Sequence, residues 1–183
     1  MDKKKLRKQI IEKRVLLSDQ EVSIKSKIIS KKIENLTIFK DSENIAMYYP
    51  FKKEVNLLPL FNKYKLQKNF LFPKTLGKTM KFHKASSLDH FVKGNFGIME
   101  PTEDRFENEI DMFLIPGVAF SPYLYRIGYG GGFYDRFIEN INYKTILCGI
   151  SFDLQVVDNL PIEKHDQRLD MIITNKEVYI NES

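Results

Sequence analysis

The sequence predicts an α/β protein with a mostly parallel sheet flanked by helices and with its ligand site at the carboxyl ends of the strands. Short apolar segments that favour strands alternate with segments whose apolar residues recur at helical spacing, an order typical of such sheets. A glycine-rich segment at 128–132 lies between a predicted strand and a predicted helix, where α/β folds bind their ligands. The 183 residues show no repeat, low-complexity tract or composition break, so we expect one domain over 1–183.

Two helices are predicted at the start of the chain. Residues 2–16 carry apolar side chains at roughly helical spacing, with Asp2 as a candidate N-cap. Basic residues, Arg14 among them, are expected on the opposite, solvent-facing side. A second helix is predicted to run from there toward Leu36, because Ser18 with Glu21 three residues later is a capping box.

The rest of the chain is predicted to alternate between strands and helices. Short apolar or alternating segments predict strands at 45–49, 69–72, 79–84, 111–115, 145–151, 171–174 and, at an edge, 178–180. Helices are predicted at 57–66 and 133–140. We expect residues 86–108 to form irregular surface and a long loop to join the strand ending at Ile115 to Gly132.

Composition excludes several classes of protein. The chain has no apolar run near the roughly 18 residues that a membrane helix needs, and its basic start lacks the apolar core of a signal peptide. The single cysteine, Cys148, has no partner for an internal disulfide and supplies too few thiols for a zinc cluster. We therefore expect a cytoplasmic protein without a membrane partner.

The net charge of +5 is weak evidence for a nucleic-acid partner. Lysine, isoleucine, asparagine and phenylalanine are abundant together, as AT-rich coding predicts. The six arginines are more informative against this lysine-rich background, because a planar guanidinium grips phosphate or carboxylate as lysine cannot. A basic nucleic-acid-binding module is an alternative function, although the sequence has no helix-turn-helix, RNP-like aromatic motif or zinc site.

Residues 126–136, RIGYGGGFYDR, carry the strongest chemical signal. Glycines let backbone N–H groups approach an anion closely, and the following helix adds its positive end. Arg126, Arg136 and Asp135 supply phosphate and metal chemistry together. The segment is not a Walker loop, because no Gly-Lys-Ser/Thr follows, and Phe133 replaces the third glycine of a Rossmann fingerprint. A flexible turn with incidental glycines is the alternative.

Further charged residues could complete a phosphate and magnesium site. Asp166 precedes the predicted strand at 171–174, so it could reach the same end of the sheet as Asp135 and hold magnesium with it. Taken alone, Asp166 also fits an exposed loop carboxylate. Lys3 and Arg7 share a helix face and could clamp phosphate oxygens, or they could belong to a solvated charged face.

These segments resemble the 5-formyltetrahydrofolate cyclo-ligase family over nearly the whole chain. The matching segments, in order, are 3–7, 116–120, 126–136 and 160–166. The resemblance implies an ATP- and Mg²⁺-dependent conversion of 5-formyltetrahydrofolate to 5,10-methenyltetrahydrofolate, with release of ADP and phosphate. Ser121 and the pair Leu124 and Tyr125 depart from the family's Asp and its Gly-Asn-like turn, which leaves the conformation of residues 120–126 open.

The resemblance also implies roles for single residues. Lys3 and Arg7 would hold the phosphates of ATP, and the nucleotide loop would consist of Arg126, Ile127, Gly128, Tyr129, Gly130, Gly131, Gly132, Phe133 and Tyr134. The folate would contact Tyr49, Glu54, Phe96, Tyr129, Gly130, Gly131, Gly132 and Phe133. Asp135 and Asp166 would bind the metal.

The implied mechanism needs no catalytic nucleophile beyond these binding residues. Transfer of the γ-phosphoryl group to the formyl oxygen creates a leaving group, after which N10 attacks the formyl carbon and closes the ring. Another ATP-dependent ligase or kinase on the same scaffold is the enzymatic alternative. We expect a monomer whose partners are 5-formyltetrahydrofolate and ATP, with neither nucleic acid nor membrane.

Overall fold

The computed structural model describes residues 1–181, and its main feature is a seven-stranded sheet covered by helices on both faces. The helices are α1 (Lys3–Val15), α2 (Asp19–Asn35), α3 (Thr37–Asp41), α4 (Leu58–Tyr64) and α5 (Phe133–Glu139). The strands are β1 (Asn44–Ala46), β2 (Asn69–Leu76), β3 (Thr79–Lys84), β4 (Phe91–Lys93), β5 (Met99–Pro101), β6 (Met112–Ile115), β7 (Ala119–Phe120), β8 (Arg126–Ile127), β9 (Ile146–Ile150), β10 (Met171–Ile173) and β11 (Val178–Ile180). Over residues 1–181, no helix is both long and apolar enough to cross a membrane.

The strand order confirms the predicted mostly parallel sheet. The strands lie in the order β11-β10-β9-β6-β1-β2-β3, and the five central ones are parallel. The two edge strands, β11 and β3, run antiparallel to their neighbours. From β1 the chain moves to β2 on one side and later reaches β6 on the other. This change of direction opens a crevice at the carboxyl ends of β1 and β6, where ligands bind in such sheets.

The two faces of the sheet carry separate apolar cores, because successive strand residues point to opposite sides. In β6, Met112 and Leu114 pack with buried residues of α2, α3 and α4. Phe113 and Ile115 pack on the other face with Ile138 of α5. All four β6 residues are buried, as expected for a central parallel strand.

The helix starts are confirmed, but the prediction for one face of α1 is wrong. Asp2 caps α1 by accepting a hydrogen bond from the Lys5 N–H at 2.7 Å, and the predicted capping box opens α2. Arg14, expected on the solvent-facing side, is 0% exposed, whereas the apolar Val15 is 40% exposed. The buried stripe of the helix runs through Leu6, Ile10 and Arg14, so helical spacing places the arginine inside.

Several strand predictions needed correction. β1 ends at Ala46 although apolar residues continue to Tyr49, and β2 runs through Pro73 to Leu76. Pro73 lies beyond the β2 residues that pair with β1, so its missing N–H removes no bond of that ladder. Residues 86–108 were expected to be irregular, but they contain the antiparallel hairpin of β4 and β5. The predicted long loop after β6 contains the short pair β7 and β8, and α3 was not predicted.

The turn between β7 and β8 has a defined conformation despite its departure from the family pattern. The Ser121 hydroxyl accepts a hydrogen bond from the Tyr123 N–H at 3.1 Å, which an Asp side chain could also do. Leu124 has a left-handed φ of 73°, the conformation that Gly or Asn favours. The Ser121 N–H donates to the Tyr125 carbonyl at 2.9 Å and closes the turn.

Candidate active site

A cavity of about 570 Å³ lies at the carboxyl ends of the central strands. Tyr48 and Tyr49, which follow β1, and Pro116 and Gly117, which follow β6, form part of its wall. The cavity therefore occupies the crevice that the strand order creates. Its volume is within the range of sites that hold small-molecule ligands.

The structure brings the residues predicted to bind ATP, folate and metal to this one cavity, whereas Arg136 lies outside its lining and donates to the carbonyls of Gly131 at 2.8 Å and Lys78 at 2.9 Å. The lining includes Lys3, Arg7, Tyr49, Glu54, Phe96, Arg126, Ile127, Gly128, Tyr129, Gly130, Gly131, Gly132, Phe133, Tyr134, Asp135 and Asp166. They come from α1, the segments after β1 and β6, the β4–β5 hairpin and the loop before β10. The individual roles of these residues stay predictions.

One end of the cavity, here called the charged end, contains Lys3, Arg7 and Arg126 beside acidic residues. The Lys3 ammonium lies 2.7 Å from an Asp166 carboxylate oxygen and 2.6 Å from one of Glu163. Burial opposes the charge of Lys3, but the hydrogen bonds to Asp166 and Glu163 raise its pKa. Helix α1 is therefore held at its first turn by ion pairs.

The other two cations, Arg7 and Arg126, donate hydrogen bonds to backbone carbonyls of the glycine loop and of the segment that follows β6. Arg7 donates from Nε to the Gly128 carbonyl at 2.8 Å. Gly130 has a φ of 110°, and a Cβ there would lie 3.6 Å from the Arg7 guanidinium. Arg126 is buried, donates from Nε to the Pro116 carbonyl at 2.9 Å and lies 3.8 Å from Asp135. Burial lowers the pKa of Arg126, and Asp135 opposes that effect.

Oxygen ligands suited to a hard cation cluster at the charged end. Ligand atoms of Glu163, His165 and Asp166 lie within 4.8 Å of one another. Asp135 lies outside this group, but its carboxylate accepts a hydrogen bond at 3.3 Å from the N–H of Gln167, the residue after Asp166. Carboxylates with room for water fit Mg²⁺. Glu163 was not selected from the sequence, although it belongs to the acidic segment noted there.

The opposite end of the cavity, here called the buried end, is built around Glu54. This residue is 6% exposed, and its carboxylate accepts a hydrogen bond from the Phe51 N–H at 2.9 Å. The Tyr129 hydroxyl lies 3.5 Å from its other oxygen. Burial raises the pKa of Glu54 to about 7, while the charge of Arg14 and the bond from Phe51 oppose the rise.

Arg14 organises the buried end, and the sequence did not identify it as a site residue. Its guanidinium donates to the carbonyls of Lys52 at 3.0 Å and Gly117 at 3.1 Å, and to the Tyr129 hydroxyl at 2.5 Å. One side chain of α1 thereby ties together the segment after β1, the segment after β6 and the glycine loop. Lys3, Arg7, Ile10 and Arg14 are three or four residues apart. This helical spacing is the signal that could have placed Arg14 on the buried face of α1.

An exposed aromatic ring forms part of the cavity wall beside the glycine loop. Phe96 is 72% exposed, has a left-handed φ of 60° and lies 6.1 Å from the ring of Phe133. The hairpin that carries it is attached to β2, since Asn95 donates to the Thr75 carbonyl at 3.2 Å and Thr75 donates to Glu100 at 3.1 Å. The segment predicted to be irregular is thus the element that positions Phe96.

Comparison with known proteins gives a consistent result. The sequence model of the 5-formyltetrahydrofolate cyclo-ligase family matches residues 1–175. A 5-formyltetrahydrofolate cyclo-ligase of Mycoplasma pneumoniae is 35% identical over 179 residues, covering 96% of this chain and 100% of that protein. The Escherichia coli cyclo-ligase is 31% identical over 150 residues, covering 75% and 81%.

Solved structures agree with the sequence relatives. An NMR structure of Aquifex aeolicus 5,10-methenyltetrahydrofolate synthetase has a TM-score of 0.89 and 34% identity, covering 100% of this chain and 94% of that one. A 5,10-methenyltetrahydrofolate synthetase from Mycoplasma pneumoniae has a TM-score of 0.80 and 33% identity, with coverage of 96% and 99%. The likeness extends over the same residues that build the cavity.

Proposed function

The chain belongs to the 5-formyltetrahydrofolate cyclo-ligase family and converts 5-formyltetrahydrofolate to 5,10-methenyltetrahydrofolate, and we propose that it uses ATP as co-substrate within the cavity described above. In this proposal the charged end binds the phosphates of ATP and the buried end binds the pterin ring of the folate. The supporting observation is that the glycine loop lies between Arg7 at one end and Glu54 at the other. A loop in that position can contact both substrates.

The charged end supplies positioning and charge neutralisation for phosphoryl transfer. The formyl oxygen attacks the γ-phosphorus, and the bond to the β-phosphate breaks with its electron pair leaving on ADP. Lys3, Arg7 and Arg126 are the cations that would hold the phosphate oxygens. Backbone N–H groups of the glycine loop can approach the anion closely, because Gly130 and Gly132 have left-handed conformations.

Mg²⁺ fits the oxygen ligands of Asp135, Asp166 and Glu163, and when bound it would neutralise phosphate charge. Lys3 already provides a positive charge next to Asp166 and Glu163. We infer that Lys3 belongs to the phosphate site and pairs there with the carboxylates that would hold Mg²⁺.

At the buried end, Glu54 is suited to bind the pterin. The ring N–H and the amino group of a pterin are hydrogen-bond donors, and an ionised carboxylate accepts from both. With a pKa of about 7, Glu54 is largely ionised above neutral pH.

Ring closure follows phosphoryl transfer. N10 attacks the formyl carbon, the bond from that carbon to the phosphorylated oxygen breaks, phosphate leaves, and the N10 proton passes to solvent.

We further propose a cytoplasmic monomer that does not bind nucleic acid. Cys148 is a buried free thiol, which fits a reducing compartment. Three of the cations on the first helix have partners within the protein: Lys3 pairs with acidic residues, Arg7 binds the glycine loop and Arg14 is buried.

Formation of the methenyl product tests the proposal. Purified protein with ATP, Mg²⁺ and 5-formyltetrahydrofolate should produce the absorbance of 5,10-methenyltetrahydrofolate together with one ADP per product. Omission of ATP or of Mg²⁺ should abolish the signal. ATP hydrolysis that folate neither stimulates nor inhibits, without methenyl formation, would instead identify another ATP-dependent ligase or kinase.

A further inference from the structure

The hydroxyl of Tyr134 is the one side-chain group in the cavity wall that is hidden from solvent and has no hydrogen-bond partner among residues 1–181. Buried polar groups nearly always have partners, because leaving one unsatisfied is costly. The hydroxyl of Tyr48, in the same cavity, follows the rule by donating to the Val55 carbonyl at 2.8 Å. Because Tyr134 lines the cavity, a ligand bound there can supply the missing partner.

Tyr134 ends the glycine loop, which contacts Arg7 at the charged end and Glu54 at the buried end. The Arg126 guanidinium, at the charged end, lies 5.1 Å from the centre of its ring. A tyrosine hydroxyl carries one O–H, so it can act as a hydrogen-bond donor.

We propose that the Tyr134 hydroxyl is a catalytic residue that donates a hydrogen bond to the oxygen joining the formyl carbon to the transferred phosphorus. This inference rests on the proposed function, which requires that oxygen to lie where the phosphate and folate sites meet. When N10 attacks, the bond from carbon to this oxygen breaks and its electron pair moves onto phosphate. A donor directed at the oxygen stabilises the growing charge, and Tyr134 retains its own proton throughout.

Tyr134→Phe tests this assignment, because it removes only the hydroxyl. We expect kcat for methenyl formation to fall about 100-fold, the effect typical of losing one such donor, with KM for ATP and for folate changed less than about twofold. In a single turnover, ADP should appear before the methenyl product in the variant and together with it in the wild type. Equal slowing of ADP release and ring closure, or a wild-type kcat, would overturn the assignment.

The melting temperature tests the same assignment without an activity measurement. Tyr134→Phe should melt at the wild-type temperature or above it, because no hydrogen bond is lost. Tyr48→Phe is the matched control and should melt at a lower temperature, because it loses the bond to Val55. Destabilisation of Tyr134→Phe equal to that of Tyr48→Phe would show a protein partner and overturn the inference. If the wild type makes no methenyl product, the proposed function fails, and this comparison still decides whether the hydroxyl is unpartnered.

Discussion

The two ends of the cavity are built in opposite ways. At the charged end, Arg126 and Asp135 lie within one stretch of ten residues, and the Glu163 side chain there is 58% exposed. At the buried end, Glu54 and Arg14 are withdrawn from water and come from segments forty residues apart. Part of the first arrangement is a local motif, to which the fold adds Lys3 and Arg7 of α1 and Asp166. The second has no local motif and depends on how α1 packs against the sheet.

This difference has energetic consequences. At the charged end, the charged form of Lys3 is favoured, because hydrogen bonds to Asp166 and Glu163 raise its pKa against the effect of burial. Glu54 is held in a site that disfavours its ionised form, with Arg14 as the main compensating charge. Ionised Glu54 therefore lowers the free energy of unfolding near neutral pH. The same burial strengthens the hydrogen bonds that the carboxylate accepts from a ligand.

Asp135→Asn should produce the largest effect, and it should be confined to the charged end. Removal of one metal-binding charge is expected to lower turnover by about 100-fold or more, while folate binding at equilibrium stays unchanged. Steady-state kinetics and folate titration would check both. Asp158→Asn, an exposed carboxylate outside the cavity lining, is the control. Full activity of Asp135→Asn would show that the metal site is assigned wrongly.

Glu54→Gln should change the pH dependence of stability. The pKa of Glu54 is about 7 in the folded state and 4.5 in the reference state, so the folded protein binds more protons between those values. The free energy of unfolding of the wild type should therefore fall relative to the variant as pH rises from 4 to 8, by at most about 3 kcal/mol. Denaturant titrations at several pH values would measure this. A constant difference between the two proteins would contradict the raised pKa.

The same variant should bind folate more weakly without a change in KM for ATP, because the amide replaces one acceptor oxygen of the carboxylate with an NH2 donor, which would face a pterin donor. Glu12→Gln, on the exposed side of α1, is the control for both experiments. An equal rise in the two KM values would show that the ends of the cavity are not distinct.

Arg7→Met should raise KM for ATP by about 10-fold, the value of one charge-assisted hydrogen bond. KM for folate should stay near the wild-type value, which would sharpen the distinction between the two ends. Lys8→Met is the matched control, because Lys8 is exposed one position along the same helix. The account fails here if Arg7→Met and Lys8→Met have the same KM for ATP.

Phe96→Ala should have the smallest effect. The ring is largely exposed and faces Phe133, so we expect its contribution to binding to be an aromatic contact with the folate. We expect folate affinity to fall between about 2-fold and 10-fold. Val92→Ala, exposed on the same hairpin, should leave affinity unchanged. A similar loss in both variants would indicate that the hairpin, rather than the ring, matters.

The sequence predicted the charged end better than the buried end for physical reasons. Glycines, arginines and Asp135 lie together in the chain, so their chemistry is visible without knowledge of the fold. Arg14 was placed on the wrong face, because a basic residue near other basic residues favours a solvated surface. Its burial depends on acceptors at Lys52, Gly117 and Tyr129, which only tertiary packing brings together.

The helices and strands were likewise predicted better where the signal lies within one segment of the chain. Long periodic segments such as α2 and the buried strand β6 were predicted close to their observed bounds. The β4–β5 hairpin was missed because its strands have three residues each and are held by Thr75 and Glu100 rather than by a clear alternation. The position of Phe96 thus depends on contacts that no local pattern encodes.

The most direct test of the account is the structure of the protein with a non-hydrolysable ATP analogue and 5-formyltetrahydrofolate bound together. The account predicts the γ-phosphate beside Lys3, Arg7 and Arg126, the pterin against Glu54, and the formyl group between them on the glycine loop. A nucleotide at the buried end, or two ligands in separate cavities, would contradict it.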